Sequence, residues 1–132
     1  MDFNDTPEEA KFRSDARAFL EANVEPKSAD AERMYRRLKP AEYLKAAKEY
    51  QKRKAEAGFA GITWAKEHGG RGLPPIYAVI FNQEEAKFDV PSGFFEIGLG
   101  MCIPTVTHYA SKETAARYVK PALYGEEIWC QL

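Results

Sequence analysis

The pattern that most constrains how this chain of 132 residues can fold is a series of apolar residues at helical spacing. Proline and glycine interrupt this series repeatedly. The first segment opens with Thr6-Pro7-Glu8-Glu9, where threonine can cap a helix and the glutamate three residues later can complete a capping box. One apolar stripe then follows at helical intervals: Phe12, Ala16, Phe19 and Leu20. This pattern predicts a helix that ends near Asn23, because Pro26 disfavours helical backbone just before it.

Two more stretches follow a weakly patterned, charged connector at residues 27–39. A second helix is predicted from about Pro40 to Ala57, and Gly58 is placed to end it. Its buried side consists of Tyr43, Leu44, Ala47 and Tyr50. Residues 58–75 contain five glycines and two prolines and are predicted to be a loop.

Three further helical segments are predicted. The third ends at about Asp89 before Pro91, and its helical spacing is carried by Ile76, Val79, Ile80 and Phe88. The fourth, from Ser92 to about Tyr109, is apolar but thinned by glycines, which indicates either close packing or an irregular helix. The fifth is capped by Ser111, reaches Val119 or Leu123, and buries Ala115, Tyr118 and Val119.

The period changes in the last seven residues. Ile128, Cys130 and Leu132 alternate with Trp129 and Gln131, which predicts a β-strand in which the chain stops. Since a lone strand is not independently stable, we expect a helical domain at residues 1–124 and the start of a β-domain at residues 125–132. The predicted fold class is all-α, with about five helices running into the first strand of that β-domain.

Composition and charge exclude several classes of function. With 19 Lys and Arg against 20 Asp and Glu, the net charge of −1 offers no electrostatic case for binding nucleic acid or an anionic membrane. Two cysteines are too few for a disulfide scaffold. No secretory signal and no apolar run long enough to span a membrane are visible, so we expect a cytoplasmic protein.

Few residues suggest chemistry by themselves. Residues 66–72 could form a phosphate nest with help from Arg71, but tight turns that require glycine are the favoured interpretation. His68 and His108 lack a second ligand at helical spacing, so no metal site is predicted. Cys102 and Cys130 are interpreted as small core residues.

The carboxylates leave one question open. Glu84 and Glu85 are adjacent, so on a helix they cannot share a site, and both are interpreted as part of a solvated face. Glu96 lies in the apolar fourth segment. It could be a buried carboxylate with a raised pKa and a partner, or it could point outward, which we favour.

Several motifs agree in order with one known family. They are Phe3 with Thr6-Pro7-Glu8-Glu9, Gly58 through Trp64, Glu67 through Leu73, Ile103-Pro104-Thr105, Ser111 through Tyr118, and Gly125-Glu126-Glu127-Ile128-Trp129-Cys130-Gln131-Leu132. Across essentially its whole length, the chain resembles the N-terminal region of the acyl-CoA dehydrogenase family. The glycine loop and the final eight residues carry most of the resemblance.

This resemblance implies a helical N-terminal domain, a middle β-domain and a C-terminal helical domain. It implies that FAD accepts a hydride while a carboxylate base removes the α proton of an acyl-CoA thioester, which leaves a double bond between the α and β carbons. No glutamate here matches that base, so no catalytic residue is assigned to this chain. Expected partners are the acyl-CoA substrate, an electron-transferring flavoprotein and further subunits of a homo- or hetero-oligomer.

The resemblance also implies four site residues. Gln131 and Leu132 match the start of the segment that runs along the flavin, and are the expected cofactor contacts. Glu96 and Gly100 match positions that would face the acyl-chain cavity, and are the expected substrate contacts. Because the family continues beyond the matched region, an alternative is a non-catalytic helical subunit that binds a partner.

Overall fold

The computed structural model describes residues 4–27 and 38–131. Within these ranges lie five α-helices and one two-stranded antiparallel ladder. The helices confirm the predicted all-α class. The connector predicted at residues 27–39 lies, except at its ends, outside the described residues.

Helix α1 spans Pro7–Asn23, as its capping signals predict. The backbone N–H of Glu9 donates to the hydroxyl of Thr6 at 3.3 Å, and the backbone N–H of Thr6 donates to the Glu9 carboxylate at 2.8 Å. The predicted stripe is buried at Phe12, Ala16 and Leu20. Local sequence therefore determines both where this helix begins and which face it buries.

Helices α2 (Pro40–Glu56) and α3 (Pro75–Glu85) pack with α1 around an aromatic core. Phe59 joins them, because its ring meets the ring of Phe12 edge-on at 5.6 Å and stacks on the ring of Phe81 at 5.0 Å. Tyr50 of α2 is buried in the same cluster.

The buried face of α3 differs from the predicted one. Ile76 and Val79 are 44% and 47% exposed, whereas the members of the interior stripe are Tyr77, Ile80, Phe81 and Glu84. This set also has helical spacing, and the apolar periodicity alone did not distinguish the two. The interior face includes a carboxylate, and hydropathy cannot place a carboxylate in a core.

Helix α3 also ends earlier than predicted, at Glu85 rather than near Asp89. Strand β2 (Phe88–Asp89) instead pairs with strand β1 (Glu25–Pro26) in an antiparallel ladder. The backbone N–H of Lys27 extends the pairing by donating to the carbonyl of Lys87 at 2.9 Å. These long-range hydrogen bonds replace another turn of helix.

The fourth predicted segment is irregular and closely packed, so both expectations for it hold. Its helical backbone starts at Glu96, widens into a π-helical turn at Gly98–Cys102, and continues as α4 (Ile103–Tyr109). The backbone N–H of Ile103 bonds to the carbonyl of Gly98 five residues earlier. A Cβ atom on Gly98 would lie 3.1 Å from the Cβ of Trp129.

Helix α5 (Lys112–Leu123) begins at the predicted cap, where the backbone N–H of Thr114 donates to the hydroxyl of Ser111 at 3.2 Å. Pro121 lies in its last turn, as expected. The helix buries Ala115, Val119, Ala122 and Leu123.

The predicted final strand is absent from the described residues 126–131, which form neither helix nor ladder. A strand requires a neighbour for its backbone groups, and no described residue supplies one. Trp129 instead packs edge-on against Tyr118, with ring centroids 5.2 Å apart. Cys130 is exposed, so its interpretation as a core residue is wrong. Leu132 lies outside the described residues.

The glycine loop forms tight turns, as favoured. Gly69 adopts φ +85° after a short 3₁₀ turn at Lys66–His68. A Cβ atom on Gly70 would lie only 2.2 Å from the carbonyl oxygen of Trp64, so this close approach requires glycine. The guanidinium of Arg71 lies 5.3 Å from the ring centroid of Phe12, where it packs on the core.

Glu84 is buried between α1 and α3, so its predicted place on a solvated face is wrong. Its side chain is 1% exposed and pairs with Arg13 and Arg17 of α1, each at 3.1 Å, and with Lys87 at 2.8 Å. Arg13 in turn donates to Asp5 at 2.9 Å. The carboxylate therefore ties α3 to α1 inside a network of opposite charges.

Burial raises the pKa of Glu84, but hydrogen bonds from Arg17, Lys87 and Arg13 outweigh it and lower the pKa from 4.5 to about 2. A group with a lowered folded-state pKa stabilises the fold above its unfolded pKa and loses that effect as the pH falls through the folded value. We expect the free energy of unfolding to drop by about 3 kcal/mol from this group between about pH 5 and pH 2.

Glu84→Gln should remove that acid dependence and destabilise the chain at neutral pH by about 3 kcal/mol, since it leaves partly buried cations without their carboxylate. Urea unfolding at a series of pH values measures both effects. Glu49→Gln, at an exposed residue of α2, is the matched control and should change little. An unchanged acid slope in Glu84→Gln would contradict the assignment.

Two glycines of the fourth segment provide a matched pair for a packing test. Gly98→Ala forces a methyl group against the backbone and side chain of Trp129 and should cost about 1–3 kcal/mol. Gly100→Ala meets nothing within 4 Å and should be neutral or stabilising by up to about 1 kcal/mol. Urea unfolding measures both values, and tryptophan fluorescence reports any displacement of Trp129. Equal effects would contradict the packing described here.

Candidate functional site

A cleft of about 500 Å³ opens between α2, α3, the loop after α2 and the irregular fourth segment. Its volume lies in the range of small-molecule binding sites. The lining residues are Ala47, Tyr50, Gln51, Lys54, Phe59 through Trp64, Ala78, Phe81, Asn82, Glu85, Val90, Pro91, Ser92, Phe95, Glu96, Leu99, Gly100 and Leu123.

The body of the cleft is apolar and belongs to the same core that holds the helices together. Phe59 and Phe81 provide its aromatic wall, and both are buried. Phe95 and Leu99 contribute from the fourth segment, one helical turn apart. Walls built from core residues are rigid, so the cleft has a defined shape and can accept an apolar group.

Glu96 and Gly100, the two expected substrate contacts, both line this cleft. Glu96 is exposed, so the outward orientation is the one found. Its carboxylate accepts hydrogen bonds from the backbone N–H groups of Gly93 at 2.7 Å and Phe95 at 3.1 Å. It thereby satisfies the first backbone donors of the fourth segment.

The side of Gly100 is open. A Cβ atom built there meets no heavy atom within 4 Å. Gly100 therefore leaves open space at the edge of the cleft that it lines, whereas at Gly98, two residues earlier in the same π-helical turn, that space is taken by Trp129. The fourth segment thus packs closely against Trp129 at Gly98 and leaves open space at Gly100.

A polar cluster of Tyr50, Lys54 and Glu85 interrupts the apolar wall where α2 and α3 meet. The Tyr50 hydroxyl donates to Oε1 of Glu85 at 2.6 Å, and the Lys54 ammonium donates to the same oxygen at 2.8 Å. The Lys54 nitrogen also lies 4.7 Å from the ring centroid of Phe81. We call these three residues the α2–α3 polar cluster.

Sequence reasoning missed this cluster. Glu85 was assigned to a solvated face, which is wrong, because its side chain is only 18% exposed. The one local signal is the spacing of Tyr50 and Lys54, which puts both on the same face of α2 as the buried Ala47. The partner on α3 could not be found without the fold.

The expected cofactor residues lie elsewhere. Gln131 is exposed and does not line the cleft, and Leu132 is outside the described residues. Among the residues that the structure describes, none forms a backbone–backbone hydrogen bond with residues 128–131. Trp129 packs this segment against the fourth segment at Gly98.

Two other site classes find no support in residues 4–27 and 38–131. No group of three or more His, Cys, Asp or Glu there is arranged to hold a metal ion. No described helix is long and apolar enough to cross a membrane.

Comparison with known proteins agrees with the fold and with the motifs. The family model described as "Acyl-CoA dehydrogenase, N-terminal domain" matches residues 6–126. The chain is 27% identical over 121 residues to acyl-CoA dehydrogenase IpdE1 of Mycobacterium tuberculosis, covering 92% of this chain. It is 29% identical over 129 residues to the short-chain specific acyl-CoA dehydrogenase of Clostridium acetobutylicum, covering 97% of this chain.

Solved structures show the same fold. The ChsE4-ChsE5 complex of M. tuberculosis matches with a TM-score of 0.71 and 21% identity, over 96% of this chain and 30% of that one. An acyl-CoA dehydrogenase of Geobacillus kaustophilus matches with a TM-score of 0.62 and 20% identity, over 97% of this chain and 31% of that one.

The chain spans 31% of the length of IpdE1 and 32% of the clostridial enzyme. The family model matches the helices that enclose the cleft. The chain therefore belongs to the acyl-CoA dehydrogenase family, a family of oxidoreductases, and residues 6–126 form its N-terminal domain.

Proposed function

We propose that this chain is the N-terminal part of a FAD-dependent acyl-CoA dehydrogenase, which forms a double bond between the α and β carbons of an acyl-CoA thioester. The observation that carries the proposal is the apolar cleft of about 500 Å³, enclosed by the helices that match the family domain. In this proposal residues 1–124 are the helical domain, and residues 125–132 begin the middle β-domain.

The cleft residues bind and orient the acyl group. Phe59, Phe81, Phe95 and Leu99 remove its hydrocarbon from water, which is the main source of affinity for an alkyl or ring substituent. Gly100 leaves room for bulk beside the fourth segment. Glu96 keeps the start of that segment helical through its two backbone hydrogen bonds and so holds Phe95 and Leu99 in place.

Gln131 and Leu132 are the proposed contacts to FAD, a role supported by the resemblance of the final eight residues to the family segment that runs along the flavin. Bound FAD would supply a two-electron acceptor beside the acyl group. Trp129 joins the two sites, because it packs on Gly98 next to Leu99 of the cleft wall. The chain itself contributes binding and orientation, and the catalytic base is assigned to none of its residues.

The proposal includes a cytoplasmic location, an electron-transferring flavoprotein as acceptor, and assembly into a homo- or hetero-oligomer. The similarity to one chain of a ChsE4-ChsE5 complex favours a second candidate function, a non-catalytic helical subunit that binds a related partner. Under the first function, the protein that contains this chain binds FAD and acyl-CoA itself. Under the second, the partner subunit binds them.

The protein that contains this chain, purified with its bound flavin, should reduce an artificial electron acceptor when given acyl-CoA thioesters. A panel of straight-chain, branched and cyclic acyl-CoAs should bleach the flavin absorbance for at least one member, since transfer of a hydride reduces the flavin. The enoyl-CoA product is identified by mass spectrometry. A protein that binds no flavin but purifies with a flavoprotein subunit would contradict the catalytic proposal and favour the partner subunit.

Gly100→Leu should shift the acyl preference of that protein towards smaller groups. The added side chain occupies open cleft volume, and loss of room for a few carbon atoms should lower kcat/KM for the bulkiest accepted acyl-CoA about tenfold to a hundredfold. The value for the smallest one should change less than about threefold. Met101→Leu, at the exposed neighbouring residue, is the control. An unchanged preference in Gly100→Leu would contradict the assignment of Gly100 to the acyl cavity.

A further inference from the structure

The α2–α3 polar cluster is not explained by a purely hydrocarbon ligand. Tyr50, Lys54 and Glu85 line the same cleft as Phe59 and Phe81, so a ligand that fills the cleft also covers them. An alkyl chain would strip water from an ammonium and a carboxylate without replacing its hydrogen bonds. That desolvation weakens binding.

The cluster retains hydrogen-bonding capacity towards the cleft. Both internal hydrogen bonds fall on Oε1 of Glu85, so Oε2 is not engaged by them. Lys54 has three N–H donors, of which one is used by Glu85. Every buried polar side-chain atom of the described residues has a partner. Oε2 of Glu85 is therefore not a buried atom, and the Lys54 side chain is itself 19% exposed, so solvent or a ligand can reach both groups.

The charge of the cluster restricts what it can recognise. The Nζ atom of Lys54 lies 2.8 Å from Oε1 of Glu85, so the positive charge of the ammonium is already neutralised by a carboxylate. A ligand carboxylate would gain from Lys54 but be opposed by Glu85 at similar range. A neutral hydroxyl or carbonyl oxygen meets no such repulsion, because it can accept from Lys54, and a hydroxyl can also donate to Oε2 of Glu85.

We infer that the cleft selects acyl groups that carry a neutral oxygen function, a hydroxyl or a ketone, positioned to bond with Lys54 and Glu85. This inference rests on the proposed function, which supplies the assumption that the ligand is an acyl-CoA thioester. It adds the substrate class, since Phe59, Phe81 and Leu99 bind the hydrocarbon and the cluster binds the oxygen. Tyr50 is a positioning residue that holds Glu85 in its rotamer through the 2.6 Å hydrogen bond.

Binding of three thioester series to the flavin-loaded protein tests the inference by isothermal titration calorimetry. The probes are straight acyl-CoAs from hexanoyl to dodecanoyl, the same series with a terminal hydroxyl, and the same series with a terminal carboxylate. At the best chain length, the hydroxyl should lower Kd about tenfold relative to the plain chain, as one or two new hydrogen bonds to charged groups allow. The carboxylate should give no such gain.

Lys54→Met keeps the length of the side chain and removes its charge, so it should reduce the preference for hydroxyl to below about twofold. Glu85→Gln keeps the side-chain volume and removes the charge of the acceptor, so it should also reduce the preference for hydroxyl. It serves as the second variant in case Lys54→Met does not fold. Lys45→Met is the matched control, since Lys45 lies on the same helix with its side chain 78% exposed and outside the cleft. It should keep the preference unchanged.

The outcomes separate this inference from the proposed function. Equal Kd values for plain and hydroxylated chains at every length would overturn the inference, even if the protein desaturates acyl-CoAs. Tighter binding of the carboxylate series would also overturn it, because the cluster would then act as a cation site. A hydroxyl preference that disappears in both variants, in a protein that desaturates nothing, would support the inference and contradict only the dehydrogenase activity.

Discussion

The buried carboxylate of Glu84 is the interaction on which the rest of the structure depends. It draws two arginines of α1 and Lys87 into one network and thereby sets how α3 lies against α1. A buried charge tolerates little displacement, since any shift leaves it without a partner in a low dielectric. The position of α3 then determines where the next residue, Glu85, meets α2. Two adjacent glutamates thus serve two different sides of α3, since Glu84 holds α3 to α1 and Glu85 meets α2 at the cleft.

Local signals in the sequence were sufficient for the starts of α1 and α5, but not for the fourth segment, whose helical backbone starts at Glu96 and not at Ser92. The caps at Thr6 and Ser111 depend only on residues three positions away, and both helices begin where those residues predict. The end of α3 was not predictable in this way, because β2 stops the helix by pairing with a segment more than sixty residues earlier. Burial of Glu84 was hidden for the same reason, since its partners on α1 are distant in sequence and hydropathy assigns any glutamate to the surface.

The candidate site was predictable to a similar extent. The resemblance placed Glu96 and Gly100 on one cavity wall, and the structure puts both on the same cleft. Residues four apart share a face of a regular helix, so their spacing is consistent with this, but the π-helical turn at Gly98–Cys102, which contains Gly100, could not be predicted from the sequence. The α2–α3 polar cluster was missed because it joins two helices through side chains, and no single segment carries its pattern. The final strand was overestimated because alternation describes a strand's faces without supplying its neighbour.

The irregular fourth segment connects the two halves of the proposed site. A regular α-helix through residues 96–109 would keep one set of faces along its length, whereas the single π turn at Gly98–Cys102 adds one residue and so rotates the faces before it relative to those of α4. Gly98 then meets Trp129, which anchors residues 128–131, and Gly100 opens on the cleft. Glycine weakens a regular helix. Here Gly98 is required by its close packing on Trp129, and Gly100 leaves space for a ligand. The segment is therefore shaped by what lies on either side of it, a tryptophan beside the exposed backbone and an open volume that an acyl group would fill.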